Sequence, residues 1–230
     1  MPQINASKNA IASKIASSFS AAREASDSDS ATLNTTSSNI MSVRYLQSSG
    51  RGGTSVAFTR SYLAFDFTGY TSGTITNLKF HYTSTTGAVA GETCRLVKTN
   101  AFGTSTSFVN YASDDWFDSL DLSTLYSNSF SWPDASQNNS VSLVSQAITD
   151  AQSDGYLQFA ILQTNDQSGL NPGFDATNTS FGNWSSNRFN LQFDFTAAGF
   201  GEKINSIQPA NMAKVNSIAK ANIAKINSVQ

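Results

Sequence analysis

The chain has 230 residues, enough for one ordinary domain with appendages, and its 16 Phe and 7 Tyr supply a core, which excludes wholesale disorder. A net charge of −2 excludes a basic nucleic-acid-binding protein. Because the chain has one Cys and one His, a disulfide framework and a Cys/His zinc site are also excluded. No apolar run reaches the roughly 18 residues of a membrane span. Only 13% of the residues are charged, and Ser, Thr and Asn together make up about a third of the chain.

Residues 1–39 are predicted to form an N-terminal arm and linker outside the folded body. They are rich in Ser and Ala, and their larger apolar residues follow each other at the helical intervals of 7, 4 and 4, namely Ile4, Ile11, Ile15 and Phe19. We therefore expect a short helix followed by an extended connection, both ordered only against a partner surface. The first 19 residues lack the unbroken apolar run of an export signal, so we expect no export.

Residues 40–200 are predicted to be the folded body, since they hold every Tyr, every Trp and all but one Phe. Short runs of strand character recur there between turn residues, at 40–47, 61–67, 74–83, 93–99, 140–149, 155–163 and 188–196. Several alternate between apolar and polar residues, as half-buried antiparallel strands do. The pattern predicts an all-β fold, an antiparallel β-sandwich or jelly roll with short helical or irregular N- and C-terminal extensions. The run 140–149 could instead form a short helix on the rim.

The same alternation predicts which side chains face inward. One core is expected to contain Leu63, Phe65, Phe67, Phe80, Phe159, Leu191, Phe193 and Phe195. Cys94 lies within an apolar run and is predicted to be a small buried hydrophobe. His81 alternates with apolar neighbours and is expected to face solvent.

Two segments of the body carry a resemblance: the run from Arg60 to Phe67 reads RSYLAFDF, and the run from Ile75 to Phe80 reads ITNLKF. They resemble the Arg-x-Tyr-Leu-x-Phe-Asp and Ile-x-x-Ala-x-Leu strands of the jelly-roll modules called DNRLRE domains, which are related in fold to carbohydrate-binding modules. The resemblance covers about residues 40–196 and departs from the family pattern at Asn77 and in the polar stretch 164–187. It implies a jelly roll and no catalytic residue.

Residues 201–230, the tail, carry an internal repeat. The sequence Lys-Ile-Asn-Ser-Ile at 203–207 recurs with Val replacing one Ile at 214–218 and at 225–229, 11 residues later each time. An 11-residue period is close to helical, so the apolar residues share a face. The Asn-Ser pairs resist a helix, which leaves both a continuous helix and short helical turns joined by bends open. The tail has four Lys and one Glu, whereas the body has 7 basic and 12 acidic residues.

The tail cannot bury its apolar stripe alone, because repeats of this size need neighbours. It must pack on another protein, on copies of itself or on its own body. We predict that it is an assembly interface, and that contacts within a homo-oligomer use the stripe formed by Ile204, Ile207, Met212, Val215, Ile218, Ile223, Ile226 and Val229.

The tail resembles the Lys-Ile-Asn-Gly-Val and Lys-Ile-Asn-Ser-Val repeats at the ends of structural proteins of tailed bacteriophages. The resemblance implies a virion structural protein, made in the host cytoplasm, that docks on other virion proteins through its terminal segments. Capsid decoration (cement) protein, head or neck fibre, and tail or baseplate component fit in that order. The alternative is a carbohydrate-binding module for host-surface glycans, and the third interpretation is a glycan-cleaving enzyme.

Four carboxylates surround Trp116 in the sequence, namely Asp114, Asp115, Asp118 and Asp121. Their oxygens could hold Ca²⁺, and two of them could serve glycoside hydrolysis. The Gly and terminal Glu of a calcium loop are absent, and an acidic turn opening a helical segment explains the cluster equally simply. We therefore predict no metal site, no cofactor, no catalytic residue and a protein that is not an enzyme.

The three Trp residues could stack on sugar rings, since aromatic faces suit pyranoses. Trp184 is the best candidate because it lies in a polar stretch with Asn183 and Asn187. The alternative is that Trp116, Trp132 and Trp184 close the ends of the sandwich. A glycan contact at Trp184, Asn183 and Asn187 accordingly belongs to the alternative function.

Overall fold

A computed structural model of the chain describes residues 1–34, 43–50, 53–83, 93–104, 108, 116–131, 138–170 and 189–198. The elements, in chain order, are β1 (Gln3–Asn5), β2 (Lys8–Ala16), α1 (Phe19–Arg23), β3 (Ser30–Asn34), β4 (Arg44–Gly50), β5 (Gly53–Asp66), a 3-10 turn (Thr68–Tyr70), β6 (Gly73–Thr83), β7 (Thr93–Thr99), β8 (Leu120–Leu125), β9 (Phe130–Ser131), β10 (Asn138–Ser142), α2 (Ser145–Asp154), β11 (Tyr156–Gln163), α3 (Thr164–Ser168) and β12 (Asn190–Ala197). No helix within these ranges is long and apolar enough to cross a membrane.

The strands form two antiparallel sheets that pack face to face. The small sheet has the order β1-β12-β6-β10, and the large sheet has the order β3-β2-β5-β11-β7-β8. β4 pairs with the first half of β5, and β9 pairs with the start of β7. The prediction of an all-β antiparallel sandwich is confirmed.

The core between the sheets contains the residues that the alternation placed inside. Phe195 is partly buried and packs against the others, while seven are buried, namely Leu63, Phe65, Phe67, Phe80, Phe159, Leu191 and Phe193. The ring centroids of Phe80 and Phe159, on opposite sheets, lie 5.2 Å apart, and those of Phe193 and Phe67, which directly follows β5, lie 5.5 Å apart. One predicted core is therefore confirmed, and its aromatic contacts join the two sheets.

A second core lies on the outer face of the large sheet. Tyr62 and Ala64 of β5 point away from the first core and pack with Phe19 of α1 and with Trp116. β5 is consequently buried on both faces, although its sequence alternates like a strand with one face in water. The alternation did not predict this second buried face, because it treated Tyr62 as a residue that faces water. Tyr62 instead buries its ring, and its hydroxyl donates a 2.9 Å hydrogen bond to the carbonyl oxygen of Trp116.

The N-terminal helix predicted from the spacing of Ile4, Ile11, Ile15 and Phe19 is wrong. Residues 8–16 form strand β2, which pairs along its whole length with β5 and on its other side with β3. The only helix in the described part of this segment is α1, which Ser18 caps by accepting a hydrogen bond from the backbone N–H of Ala21. A short helix with few apolar side chains would have little stability of its own. A strand at this position is more stable, because it supplies hydrogen-bond partners for the backbone groups along the edge of β5.

The sandwich therefore begins well before residue 40, contrary to the predicted boundary. β1 forms an edge of the small sheet beside β12, and β2 lies inside the large sheet. Ala10 and Ala12 of β2 are fully buried in the second core. The N-terminal segment is thus shared between both sheets and is not a detached arm.

Asn77 stands at an irregularity of the small sheet. Its backbone φ is 54°, and the register between β6 and β12 shifts at this point, as it does at a β-bulge. Asn tolerates this left-handed conformation better than most residues. Its side-chain amide donates a 2.6 Å hydrogen bond to Asp194 of β12, so the residue that departs from the family pattern closes the bulge.

The run 140–149 contains the end of a strand and the start of a helix. β10 ends at Ser142 and α2 begins at Ser145, so each of the two expectations for this run holds for one half of it. Gly155 ends α2 in the left-handed conformation with a φ of 73° and leads directly into β11.

Candidate functional site

The strand registers define two ends of the sandwich. At the first, here called the loop end, the facing pairs are Thr83 with Asn138, Thr93 with Ser131, Cys94 with Gln163, and His81 with Asn190. Segments 84–92, 132–137 and 171–188 start from and return to described residues at this end. Connections of this kind often carry the binding residues of β-sandwich proteins.

The opposite end, here called the tail end, is where β12 leaves the sandwich. Ala197 pairs with Gly73, and Asp66 pairs with Tyr156, so the end of β12 lies near α2 and the start of β11. A Cβ at Gly73 would come within 2.5 Å of the carbonyl oxygen of Thr196, so the close approach of β6 and β12 requires glycine there. An eight-residue strand such as β11 separates the two ends by about 25 Å.

A cleft of about 200 Å³ opens at the tail side of the large sheet. Its lining consists of Lys98, Thr99, Asn100, Asp118, Ser119, Leu120 and Asp121. The walls are held together because the backbone N–H of Asn100 donates to the carbonyl oxygen of Ser119, at 3.1 Å. The hydroxyls of Thr99 and Ser119 also lie 2.8 Å apart, so the end of β7 and the start of β8 form one rigid unit.

Asp121 presents an ionised carboxylate at the cleft. Hydrogen bonds from the hydroxyls of Ser123 and Thr124, at 2.5 and 2.6 Å, lower the pKa of Asp121. Ser123 also donates its backbone N–H to the same carboxylate. Ser123 and Thr124 lie two and three residues after Asp121 within β8, so local contacts stabilise the negative charge at the start of this strand.

Lys98 connects the cleft to α2. Its ammonium group donates a 2.7 Å hydrogen bond to Asp150 of α2, and this bond raises the pKa of Lys98. Asp150 also accepts hydrogen bonds from the hydroxyl of Tyr126 at 2.5 Å and from the amide of Gln146 at 2.7 Å. Burial alone would raise the pKa of Asp150, but these donors outweigh it and the pKa is lowered. Lys98 and Asp150 thus form an ion pair that joins β7 to α2.

Most of the charged groups around Lys98 are acidic. Asp150 pairs with the ammonium of Lys98, and Asp154 and Asp121 act on it electrostatically, so these four groups carry a net charge of −2 (one positive minus three negative). Glycoside hydrolysis needs one acid with a raised pKa, whereas the pKa values of Asp121 and Asp150 are lowered. Asp121 and Asp150 therefore lack the raised pKa of a general acid.

The predicted acidic cluster is brought only partly together. Asp118 and Asp121 both line the cleft, while Asp114 and Asp115 lie outside the described residues. Within the described ranges no three His, Cys, Asp or Glu side chains gather in a way that would hold a metal ion.

Trp116 is 2% exposed in the second core, between Tyr62 and Phe102, whose ring centroids lie 5.1 and 5.5 Å from its own. Its ring is therefore not available to stack on a sugar, and it fills the core on the outer face of the large sheet, whereas the alternative placed it at an end of the sandwich. Trp132 lies outside the described residues, as do the predicted glycan contacts Trp184, Asn183 and Asn187 and the tail positions Ile204, Ile207, Met212, Val215, Ile218, Ile223, Ile226 and Val229.

Cys94 is fully buried in the first core, which confirms its predicted role as a small hydrophobe. His81 lies on the opposite face of β6 from its neighbours Phe80 and Tyr82 and is partly exposed. Partial burial, with a smaller contribution from Lys79, lowers the pKa of His81, so the imidazole is mostly neutral at pH 7.

Sequence reasoning missed a buried ion pair between Arg60 and Asp166. Nε and one terminal nitrogen of Arg60 each donate to a carboxylate oxygen of Asp166 at 2.8 Å, and the two side chains are 1% and 2% exposed. The guanidinium carbon also lies 3.9 Å from the ring centroid of Phe117. The sequence offered one sign that Arg60 is buried, namely that it lies on the same face of its strand as the aromatic Tyr62. It gave no sign of the partner, because Asp166 lies 106 residues away in the chain.

No protein-family model matches the chain, and no curated protein is significantly similar to it in sequence.

The substitution Asp150→Asn is expected to lower the free energy of unfolding by about 1–3 kcal/mol at pH 7, because the charge-assisted hydrogen bonds from Lys98 and Tyr126 weaken. The pKa of Asp150 is lower in the folded than in the unfolded chain, where it is about 3.9. Its contribution is therefore present above the unfolded pKa and is lost as the pH falls through the folded pKa. Urea unfolding should show a constant difference from wild type between about pH 7 and 5 that shrinks below about pH 4.

Asp154→Asn is the matched control, because Asp154 lies on the same helix and its carboxylate accepts a hydrogen bond from the neighbouring Ser153 and not from Lys98 or Tyr126. This variant is expected to change stability little at any pH. A difference between Asp150→Asn and wild type that grew toward low pH would contradict the assignment of Asp150 as an ionised acceptor.

Proposed function

We propose that this protein is a structural component of a tailed-phage virion, in which the tail anchors the sandwich and the loop end faces outward. A capsid decoration protein fits best, ahead of a fibre or a baseplate component. The body would be a jelly roll of the DNRLRE type, a finer relationship than the β-sandwich described above. The proposal rests on the resemblance of the tail repeats at 203–229 to repeats of tailed-phage structural proteins. It also rests on the geometry of the β-sandwich to which the tail is attached.

The observation that carries the proposal is the separation of the two ends. The chain passes from Ala198 toward the tail at one end, while segments 84–92, 132–137 and 171–188 are attached at the other, about 25 Å away. An anchor at one end leaves the other free to contact the surroundings of the particle. This polarity supports a displayed module over a protein buried within the capsid wall.

The tail supports the anchoring role through its composition. Eight apolar side chains repeat on an 11-residue period, and burying each would stabilise a contact by roughly 1–2 kcal/mol after the loss of conformational freedom. β1 and β2 are hydrogen-bonded within the sandwich, so docking is now proposed for the C-terminal segment and no longer for both terminal segments.

The test is incorporation into particles. A chain ending at residue 200 is expected to keep the melting temperature of the full chain within a few degrees and to be lost from purified particles, as measured by quantitative mass spectrometry. Ile218→Asp should reproduce the loss, because it places a charge in the apolar stripe. Ser217→Asp, off the stripe, is the matched control and should be incorporated normally. Full incorporation of the truncated chain would refute the anchoring role.

Glycan binding at the loop end is the second candidate function. Segment 171–188, which contains Trp184, Asn183 and Asn187, is flanked by Leu170 and Phe189 and returns to the sheet at the loop end. A saturable glycan-array signal that Trp184→Ala abolishes would support it. No signal from the wild-type chain at high concentration would count against it.

A further inference from the structure

We propose that the outer face of the small sheet binds a neutral oligosaccharide. The inference rests on the second candidate function, glycan binding, and assigns that function to a sheet face and not to segment 171–188. The outward side chains of β1, β12, β6 and β10 form this surface, here called the amide face. The helices α1 and α3 and the second core lie on the large sheet, so they leave the amide face uncovered.

The strand registers arrange the amide face in two rows that cross all four strands. The first row consists of Asn5, Asn190, His81 and Ser140. The second row, two residues away on each strand, consists of Gln3, Gln192, Lys79 and Ser142. The residues between the rows are Ile4, Leu191, Phe80 and Val141, which belong to or pack against the first core. The rows therefore point outward, and each is about 14 Å long, which exceeds the width of one sugar ring.

The composition of the amide face matches the hydroxyl groups of a neutral sugar. Four of the eight side chains are carboxamides and two are hydroxyls, and each of these groups can both donate and accept hydrogen bonds, as a sugar hydroxyl does. Lys79 is the one charged residue of the rows, since the lowered pKa of His81 leaves its imidazole mostly neutral at pH 7. The two rows contain no aromatic residue, Met or Arg, which are enriched in protein–protein interfaces. A neutral oligosaccharide therefore suits this face better than another protein.

Asn190 carries an unsatisfied acceptor at the centre of the first row. It is 7% exposed, and its carboxamide oxygen is buried without a hydrogen-bond partner among the described residues. A buried acceptor without a donor destabilises a fold, so each one requires an explanation. The neighbours of Asn190 in the row, Asn5 and His81, both reach solvent. A sugar hydroxyl that enters between these side chains would supply the missing donor.

The position of the first row agrees with a displayed binding face. His81 and Asn190 pair at the loop end, which is the end that an anchored tail would leave free. The row therefore lies where host-surface glycans would meet the sandwich.

Oligosaccharide binding by full-length variants tests the proposal. An array of neutral and acidic oligosaccharides should give saturable signals from neutral members, and the strongest of these oligosaccharides is then titrated in solution. Asn190→Ala should weaken its binding at least about tenfold, because the buried acceptor is lost. Asn5→Ala combined with Ser140→Ala changes exposed positions of the same row and should have a similar effect, so a variant with an intact fold is at hand if Asn190→Ala does not fold. Asn165→Ala, which removes a carboxamide from α3 on the large sheet, is the matched control and should bind like wild type.

Side-chain amide signals separate direct contact from a general loss of stability. In an isotope-labelled wild-type chain, the oligosaccharide should shift the NMR signals of the Asn5, Asn190 and Gln192 carboxamides. Absence of binding to every neutral oligosaccharide, or binding that both row variants retain, would overturn the inference. Loss of binding in Trp184→Ala with both row variants unaffected would leave glycan binding as the second candidate function but place it elsewhere. The row variants should enter particles normally, so the virion role is tested independently.

Discussion

A chain that begins at residue 43 is expected not to fold cooperatively, although it retains most of the aromatic core. Nine residues of β2 pair with β5, from Lys8 opposite Ala64 to Ala16 opposite Val56. Without them, the backbone groups along that edge of β5 lose their partners, and unpaired backbone groups are costly wherever water cannot replace those partners. Phe19 and the buried Ala residues would also be missing from the second core.

The size of this loss exceeds what the domain can tolerate. Domains of this kind are stable by about 5–15 kcal/mol in total, and burying Phe19 alone is worth about 1.5–3 kcal/mol. Far- and near-ultraviolet circular dichroism should show no cooperative melt for residues 43–230. Deletion of residues 201–230 is the comparison, since it removes a segment of similar length and should leave the melt almost unchanged. A separate peptide of residues 1–42 should restore β-structure when it is added.

This expectation reverses the boundary predicted from composition, which placed the folded body at residues 40–200 and left residues 1–39 outside it. If the shortened chain melted within a few degrees of the full chain, the pairing of β2 with β5 would be dispensable. The N-terminal segment would then be the arm that its Ser- and Ala-rich sequence predicted.

Removing one partner of the buried ion pair is the second large effect. Asp166→Ala is expected to lower the free energy of unfolding by about 3–5 kcal/mol, because it leaves the guanidinium of Arg60 buried without its carboxylate. The effect also reaches the N-terminal segment. Arg23 donates hydrogen bonds to the carbonyl oxygens of Asp166 and Gln167, and Arg60 donates one to the carbonyl oxygen of Arg23. The pair thus joins α1, β5 and α3.

Two further variants make the result specific. Arg60→Leu with Asp166→Leu is expected to cost less than Asp166→Ala alone, since no buried charge is left unpaired. Asp27→Asn breaks the exposed pair with Lys14 and should leave the melting temperature nearly unchanged. Chemical denaturation of the three variants would reveal the order. Equal losses for Asp166→Ala and Asp27→Asn would show that the buried pair contributes no more than a surface pair.

The sequence alone was sufficient for the fold class and the first core. The alternation of Leu63, Phe65 and Phe67 with smaller or polar residues is local, and the two-residue period of a strand turns it into a face without any knowledge of the partner. Cys94 follows the same rule. The cluster around Asp118 and Asp121 was visible as acidic sequence, although its character as a cleft was not.

The tertiary structure decided everything that depends on partners distant in the chain. Residues 8–16 form a strand because β5 supplies an edge that must be paired, which overrides the weak helical spacing of Ile11 and Ile15. The cleft exists because Thr99 and Asn100 meet Ser119 about 20 residues later, and Arg60 can be buried because Asp166 lies against it. The loop end and the tail end lie on opposite sides of the sandwich because of the way the strands pair. A local sequence pattern does not specify which residues of two strands face each other. Local periodicity specifies which side of a strand is apolar, whereas pairing and charge neutralisation across the chain determine what that side meets.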